Sequence, residues 1–162
     1  MEETKKSIVI LMADDDEDDV MLTEKALRKG KLLNTLQSVR DGEELLDYLL
    51  RRGKYSDPDS SPRPGLILLD LNMPRKDGRE ALREIKSHDD LKNIPVVVFT
   101  TSKAEEDIYR SYRLGVNSFI TKPVTFEKLI DVMQMLGKYW FEVVTLPQEE
   151  KYGKTTDKAA SD

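Results

Sequence analysis

The chain has 162 residues and a net charge of -5, with 38% hydrophobic and 35% charged residues. That is enough apolar material for one full-sized core, and it gives no general attraction to nucleic acid or anionic lipid. No cysteine is present, which excludes disulfides, thiolate metal sites and cysteine nucleophiles and fits a reducing compartment.

In chain order, the first apolar run is Ile8 to Ala13, ending on Asp14, Asp15 and Asp16. It is too short for a signal-peptide core or a membrane span, so the chain reads as soluble and cytoplasmic. An acidic helix start at Asp16–Asp19 opens a helical stretch to about Gly30. Thr35–Val39 is a weaker strand, and Glu43–Arg52 is a helix with Leu45, Leu46, Leu49 and Leu50 at three-to-four spacing. Residues 53–65, rich in proline, glycine and serine, form a loop. Leu66–Leu69 is a strand ending on Asp70, followed by a helix from about Gly78 to Ser87. Val96–Phe99 ends on Thr100, and Lys103–Leu114 is a helix closed by Gly115. Ser118–Thr121 is a strand ending at Lys122-Pro123. The last helix starts near Thr125 and carries Phe126, Leu129, Ile130, Met133, Leu136 and Trp140 on one face.

Five strand–helix units in succession, with continuous rather than alternating apolar strands, predict a parallel sheet buried on both faces. The expected fold is the flavodoxin-like, doubly wound, five-stranded α/β sheet, within one domain spanning 6–147 and followed by a disordered tail over 148–162. Ligands of such sheets bind beyond the carboxyl ends of the strands. There the topology gathers Asp14–Asp16, Asp70, Thr100 and Lys122. Several carboxylates within a few ångströms repel one another unless a cation offsets them, and hard oxygen ligands suit Mg²⁺. A carboxylate nucleophile attacking phosphorus needs such charge stabilisation.

The motif Asp70-Leu71-Asn72-Met73-Pro74, the acidic run Asp14–Asp16, Thr100 and Lys122-Pro123 resemble the receiver domain of response regulators in two-component signalling. Thr100 lies 30 residues and Lys122 52 residues beyond Asp70, as in the single-domain chemotaxis regulator. The resemblance, from about Ile8 to Leu136, implies that Asp70 is the phosphoacceptor. It implies that Asp15, Asp70 and the Asn72 backbone carbonyl bind Mg²⁺, with Asp14 joining directly or through water. It also implies that Thr100 reorients toward the phosphoryl group together with the switch aromatic Phe119, and that Lys122 contacts the group. Asn72 and Ser102 hold the positions that tune phosphoryl hydrolysis, and the bond before Pro123 is expected to be cis. The chain departs from the family in having Asp14 where glutamate is frequent, and in Thr101 where a smaller residue is common. The 53–65 loop, Thr100-Thr101-Ser102 and the ending Tyr139–Pro147 are similar to the small regulators paired with bacterial phytochromes.

Those implications describe a phosphoacceptor rather than a turnover enzyme, served by a phytochrome-like histidine kinase and acting on a downstream protein. About twenty residues after the last helix leave no room for a DNA-binding module, so output is expected to be a protein contact. Tyr139, Trp140 and Phe141 either pack back on the domain or form a pairing patch; the second reading predicts a homodimer. A haloacid-dehalogenase-type phosphohydrolase would need a general acid where Asn72 stands. A pseudo-receiver would lack one of the acids or the lysine, and none is missing. His88, the only histidine, reads as a surface-loop residue, and no ATP-binding motif is present.

Overall fold

The computed structural model of the chain describes residues 8–143, with side chains to residue 140. Strands β1 (Val9–Ala13), β2 (Thr35–Val39), β3 (Leu66–Leu69), β4 (Val96–Thr100) and β5 (Ser118–Thr121) form one sheet in the order β2-β1-β3-β4-β5, every pair parallel. Helices α1 (Glu17–Lys29), α2 (Gly42–Leu49), α3 (Gly78–Ser87), α4 (Glu105–Leu114) and α5 (Phe126–Leu136) follow the strands in turn. This is the expected flavodoxin-like receiver topology. The predicted boundaries at 6 and 147 and the tail over 148–162 lie outside the described residues.

The continuous apolar strands are explained by their two covered faces. Successive side chains point to opposite sides of a strand. Leu11, Ala13, Ile67, Leu69, Val96 and Val98 therefore join the core beneath α2 and α3. Ile10, Met12, Leu66, Leu68, Val97 and Phe99 join the core beneath α1 and α5. The edge strand β2, weaker in sequence, has only Val39 buried.

Three helix ends differ from expectation. Arg51 takes a left-handed backbone conformation (φ 55°), so α2 stops before it. Ala104 precedes α4 without a side-chain cap, and the helix begins at Glu105 rather than Lys103. Beyond α5 the chain winds into a π-helical turn, Gly137–Val143, and Trp140 (6% exposed) packs into the α1–α5 core with Met133 and Leu136. The packed-back reading thus holds for Trp140, while Tyr139 is 54% exposed. The side chain of Phe141 lies outside the described residues.

Gly78 opens α3 directly behind the end of β3. A Cβ there would come within 2.2 Å of the Asp70 carbonyl oxygen and 2.7 Å of Leu71 Cα, both backbone atoms that cannot swing aside. Gly78→Ala is expected to destabilise the domain by about 1–3 kcal/mol, read as a lowered thermal midpoint. An unchanged midpoint would show that the β3–α3 connection gives way freely.

Candidate functional site

The strand ends are registered onto one another by backbone hydrogen bonds. The Asp14 N–H donates to the Val39 carbonyl, that of Asp70 to Ala13, and that of Lys122 to Thr100. Side chains scattered over more than a hundred residues are thereby placed at one edge of the sheet. Asp14 and Asp70 are buried, Thr100 is wholly buried, and Asp15 is exposed.

Each oxygen of Asp70 has its own partners. Oδ1 accepts from the Thr100 hydroxyl at 2.7 Å and from the Asn72 N–H at 3.1 Å. Oδ2 faces Lys122 Nζ at 3.2 Å. Lys122 also lies 2.6 Å from Asp14 Oδ2 and 2.7 Å from Asp19 Oδ2. Burial alone would lower the lysine's pKa, but the close Asp14 carboxylate, the hydrogen bond to Asp19 and the nearby charge of Asp70 outweigh it and hold the ammonium above its usual range.

Asp14 is the uneasy member of the group. Its Oδ1 accepts from the Asp16 N–H at 2.9 Å. Its buried Oδ2 has the ion-pair contact with Lys122 but no aligned hydrogen bond. Desolvation pushes its carboxyl up to about 6; the Asp70 charge adds to the rise, and Lys122 and the Asp16 N–H oppose it. One oxygen each of Asp14, Asp15 and Asp70 lie within 4.8 Å of one another. A buried carboxylate oxygen without a directed donor, set in an excess of acid over one lysine, is the donor set a hard divalent cation completes.

The remaining predicted residues fall around this cluster. Asn72 and Thr101 line an open cleft of about 660 Å³ above Asp70 together with Asp15, Asp19 and Lys122. Ser102 turns its hydroxyl away, donating to Asp107 Oδ2 at 2.8 Å. Phe119 is half-buried and packs against the core under α3; its N–H donates to the Tyr112 hydroxyl at 3.1 Å. The bond before Pro123 is trans, not cis, as are all described peptide bonds. The trans form is favoured by about 0.5–1 kcal/mol even before proline, and Lys122 reaches three carboxylates from it. His88 caps the far end of α3 and accepts from the Asp90 N–H, away from the cluster.

Residues 10–134 match the family described as response regulator receiver domain. The chain belongs to that family. Response regulator Rcp1 of Synechocystis is 46% identical to this receiver over 129 residues, which cover 80% of this chain and 86% of the relative. The solved structure of the phosphorylated cyanobacterial phytochrome response regulator RcpA superposes with a TM-score of 0.81 at 42% identity, covering 88% of this chain and all (100%) of that one. The Mn²⁺-bound form of Rcp1 gives 0.78 at 45% identity, covering 87% and 99%. The receiver thus groups with phytochrome-associated response regulators, and receiver domains bind a divalent metal at this acidic pocket. Among the described residues no helix is long and apolar enough to cross a membrane.

Asp19, which in the sequence reads only as a helix-start charge, is a partner of Lys122. Its place one turn beyond the N-cap Asp16, facing the strand ends, was the available signal. The close approach of Gly78 to Asp70, and the Arg79–Asp107 pair that holds Ser102, carry no signal in the sequence.

Proposed function

We propose that Asp70 accepts a phosphoryl group from a phosphohistidine on a partner histidine kinase of the phytochrome type, or from a small acyl phosphate. The observation that carries this reading is Asp70 itself, a buried carboxylate held by Thr100, Asn72 and Lys122 beside an Asp14 oxygen with no directed donor.

An Asp70 oxygen attacks phosphorus; the P–N bond to the donor imidazole breaks, and its electron pair returns to the ring. Lys122, fixed in its charged form, neutralises charge on the transferring oxygens. The Thr100 hydroxyl exchanges its bond to Asp70 for one to the phosphoryl group, and Phe119 turns into the space behind it. Mg²⁺, held by Asp15, Asp70 and the Asn72 carbonyl with Asp14 directly or through water, would supply charge neutralisation at the phosphoryl oxygens. Asn72 and Ser102 set how fast water removes the group, so the chain catalyses its own uptake and loss of phosphate without being a turnover enzyme.

The output is a contact with a downstream protein in the cytoplasm, not with DNA, made by the α4–β5–α5 face that borders Thr100 and Phe119. With Trp140 internal, a homodimer would use the outer side of α5 and its extension, where Met135 and Tyr139 are 60% and 54% exposed. The test is incubation of the chain with radiolabelled acetyl phosphate and with a phosphorylated kinase. Uptake that requires Mg²⁺ and is released by hydroxylamine is expected, and no uptake from either donor would overturn the proposal.

A further inference from the structure

One chain of contacts leaves Asp70 and returns to it. The Thr100 hydroxyl donates to Asp70 Oδ1 at 2.7 Å, and the Ser102 N–H reaches back to Thr100 Oγ1 at 3.5 Å, a weak contact backed by the two peptide units between them. The Ser102 hydroxyl donates to Asp107 Oδ2 at 2.8 Å. Arg79 grips Asp107 with both arms of its fork, Nε to Oδ1 at 2.7 Å and Nη2 to Oδ2 at 2.6 Å. The same guanidinium donates to the Leu71 carbonyl at 3.3 Å and to Asn72 Oδ1 at 3.4 Å. The Asn72 N–H then closes the circuit on Asp70 Oδ1 at 3.1 Å.

We propose that Arg79 and Asp107 are positioning residues for phosphoryl uptake: by closing this ring they hold Thr100 and Asn72 on Asp70 Oδ1 in the arrangement the reaction uses. The proposal rests on the reading of Asp70 as phosphoacceptor. Neither residue touches the cleft; each acts through another. Arg79 stands in the first turn of α3 and Asp107 in that of α4, so the pair ties the two loops that carry Asn72 and Ser102. Bidentate pairing fixes orientation as well as distance, which a single contact between flexible loops does not. Asp107 is well placed for this work, with a side chain only 14% exposed. Hydrogen bonding from Arg79 lowers its carboxyl to about 2, so it is charged at neutral pH.

Uptake from acetyl phosphate by the full chain, over a series of Mg²⁺ concentrations, tests this without any partner. Asp107→Asn is expected to lower the maximal rate about tenfold, as loss of preorganisation does. The Mg²⁺ concentration for half-maximal rate, set by the carboxylates, should not move. Arg79→Lys, which keeps the charge but not the fork, should fail to maintain the rate. In a Thr100→Ala background, where only the Asn72 arm still reaches Asp70, Asp107→Asn should have a much smaller effect. The same tenfold loss in that background, a full rate with Asp107→Asn, or a shift in half-maximal Mg²⁺ would overturn the proposal. If melting shows that Asp107→Asn does not fold, Ser102→Ala opens the ring without changing charge and takes its place, with the same outcomes. No uptake by the unaltered chain would strike at the reading of Asp70 instead.

Discussion

Replacing Asp70 with asparagine will reduce uptake of phosphoryl label to background, from a phosphohistidine donor and from acetyl phosphate alike. A carboxamide oxygen is a poor nucleophile, and the neighbouring acids are poor substitutes. Asp14 is buried, drawn to Lys122 and pushed toward its neutral form. Asp15 is exposed, and no hydroxyl or backbone donor among the described contacts aligns it. Only Asp70 has two donors on one oxygen and an ammonium facing the other. The fold should tolerate the change, because Lys122 keeps Asp14 and Asp19 as partners. Labelling followed by gel autoradiography, with circular dichroism as a folding control, decides the matter. Persistent label at wild-type level would place the acceptor elsewhere.

The second large effect concerns stability. In the metal-free protein the charge on Asp14 is a cost, because burial raises its carboxyl to about 6 from an unfolded value of 3.8. Between those values the folded state binds more protons than the unfolded one, so this contribution to stability falls as pH rises through the window and is lowest above it. Asp14→Asn removes the titration. The variant's stability relative to wild type should therefore improve by about 1–3 kcal/mol between pH 4 and pH 8. Denaturant melts in chelator at both pH values measure this difference of differences, which cancels whatever the amide itself gains or loses in packing. Adding Mg²⁺ at pH 8 should stabilise wild type more than the variant. An equal difference at both pH values would mean that Asp14 bears no charge penalty.

How much of this was legible beforehand follows from which interactions are local. The apolar runs Leu66–Leu69 and Val96–Phe99 announce themselves because burial on both faces leaves no polar position in them. Gly115 was readable as a helix stop because its left-handed conformation (φ 100°) is one that side chains other than glycine resist. The cluster of Asp14, Asp70, Thr100 and Lys122 was readable once the topology was known, since parallel strands bring their carboxyl ends to one edge. The trans bond before Pro123 went the other way, because an expectation drawn from a family does not fix a dihedral angle. Asp19, Gly78 and the Arg79–Asp107 pair were hidden for a different reason. Their partners lie on other elements, and nothing in local spacing says that the start of α3 touches Asp70 or that two helix first turns meet.

The helices that follow β3 and β4 are not equally secured. α3 opens with Asp77 capping the Arg79 N–H, with Gly78 pressed against the Asp70 carbonyl, and with Ala81, Leu82 and Ile85 buried. α4 opens on an uncapped Ala104 and buries only Ser111. What α4 lacks in a cap and a core it makes up at its first turn, where Asp107 is paired with Arg79 and accepts from the Ser102 hydroxyl. α4 is thereby tethered to the Asp70 loop through polar contacts rather than through a core, and a ligand at Asp70 would move it only by preferring one arrangement of those contacts over another.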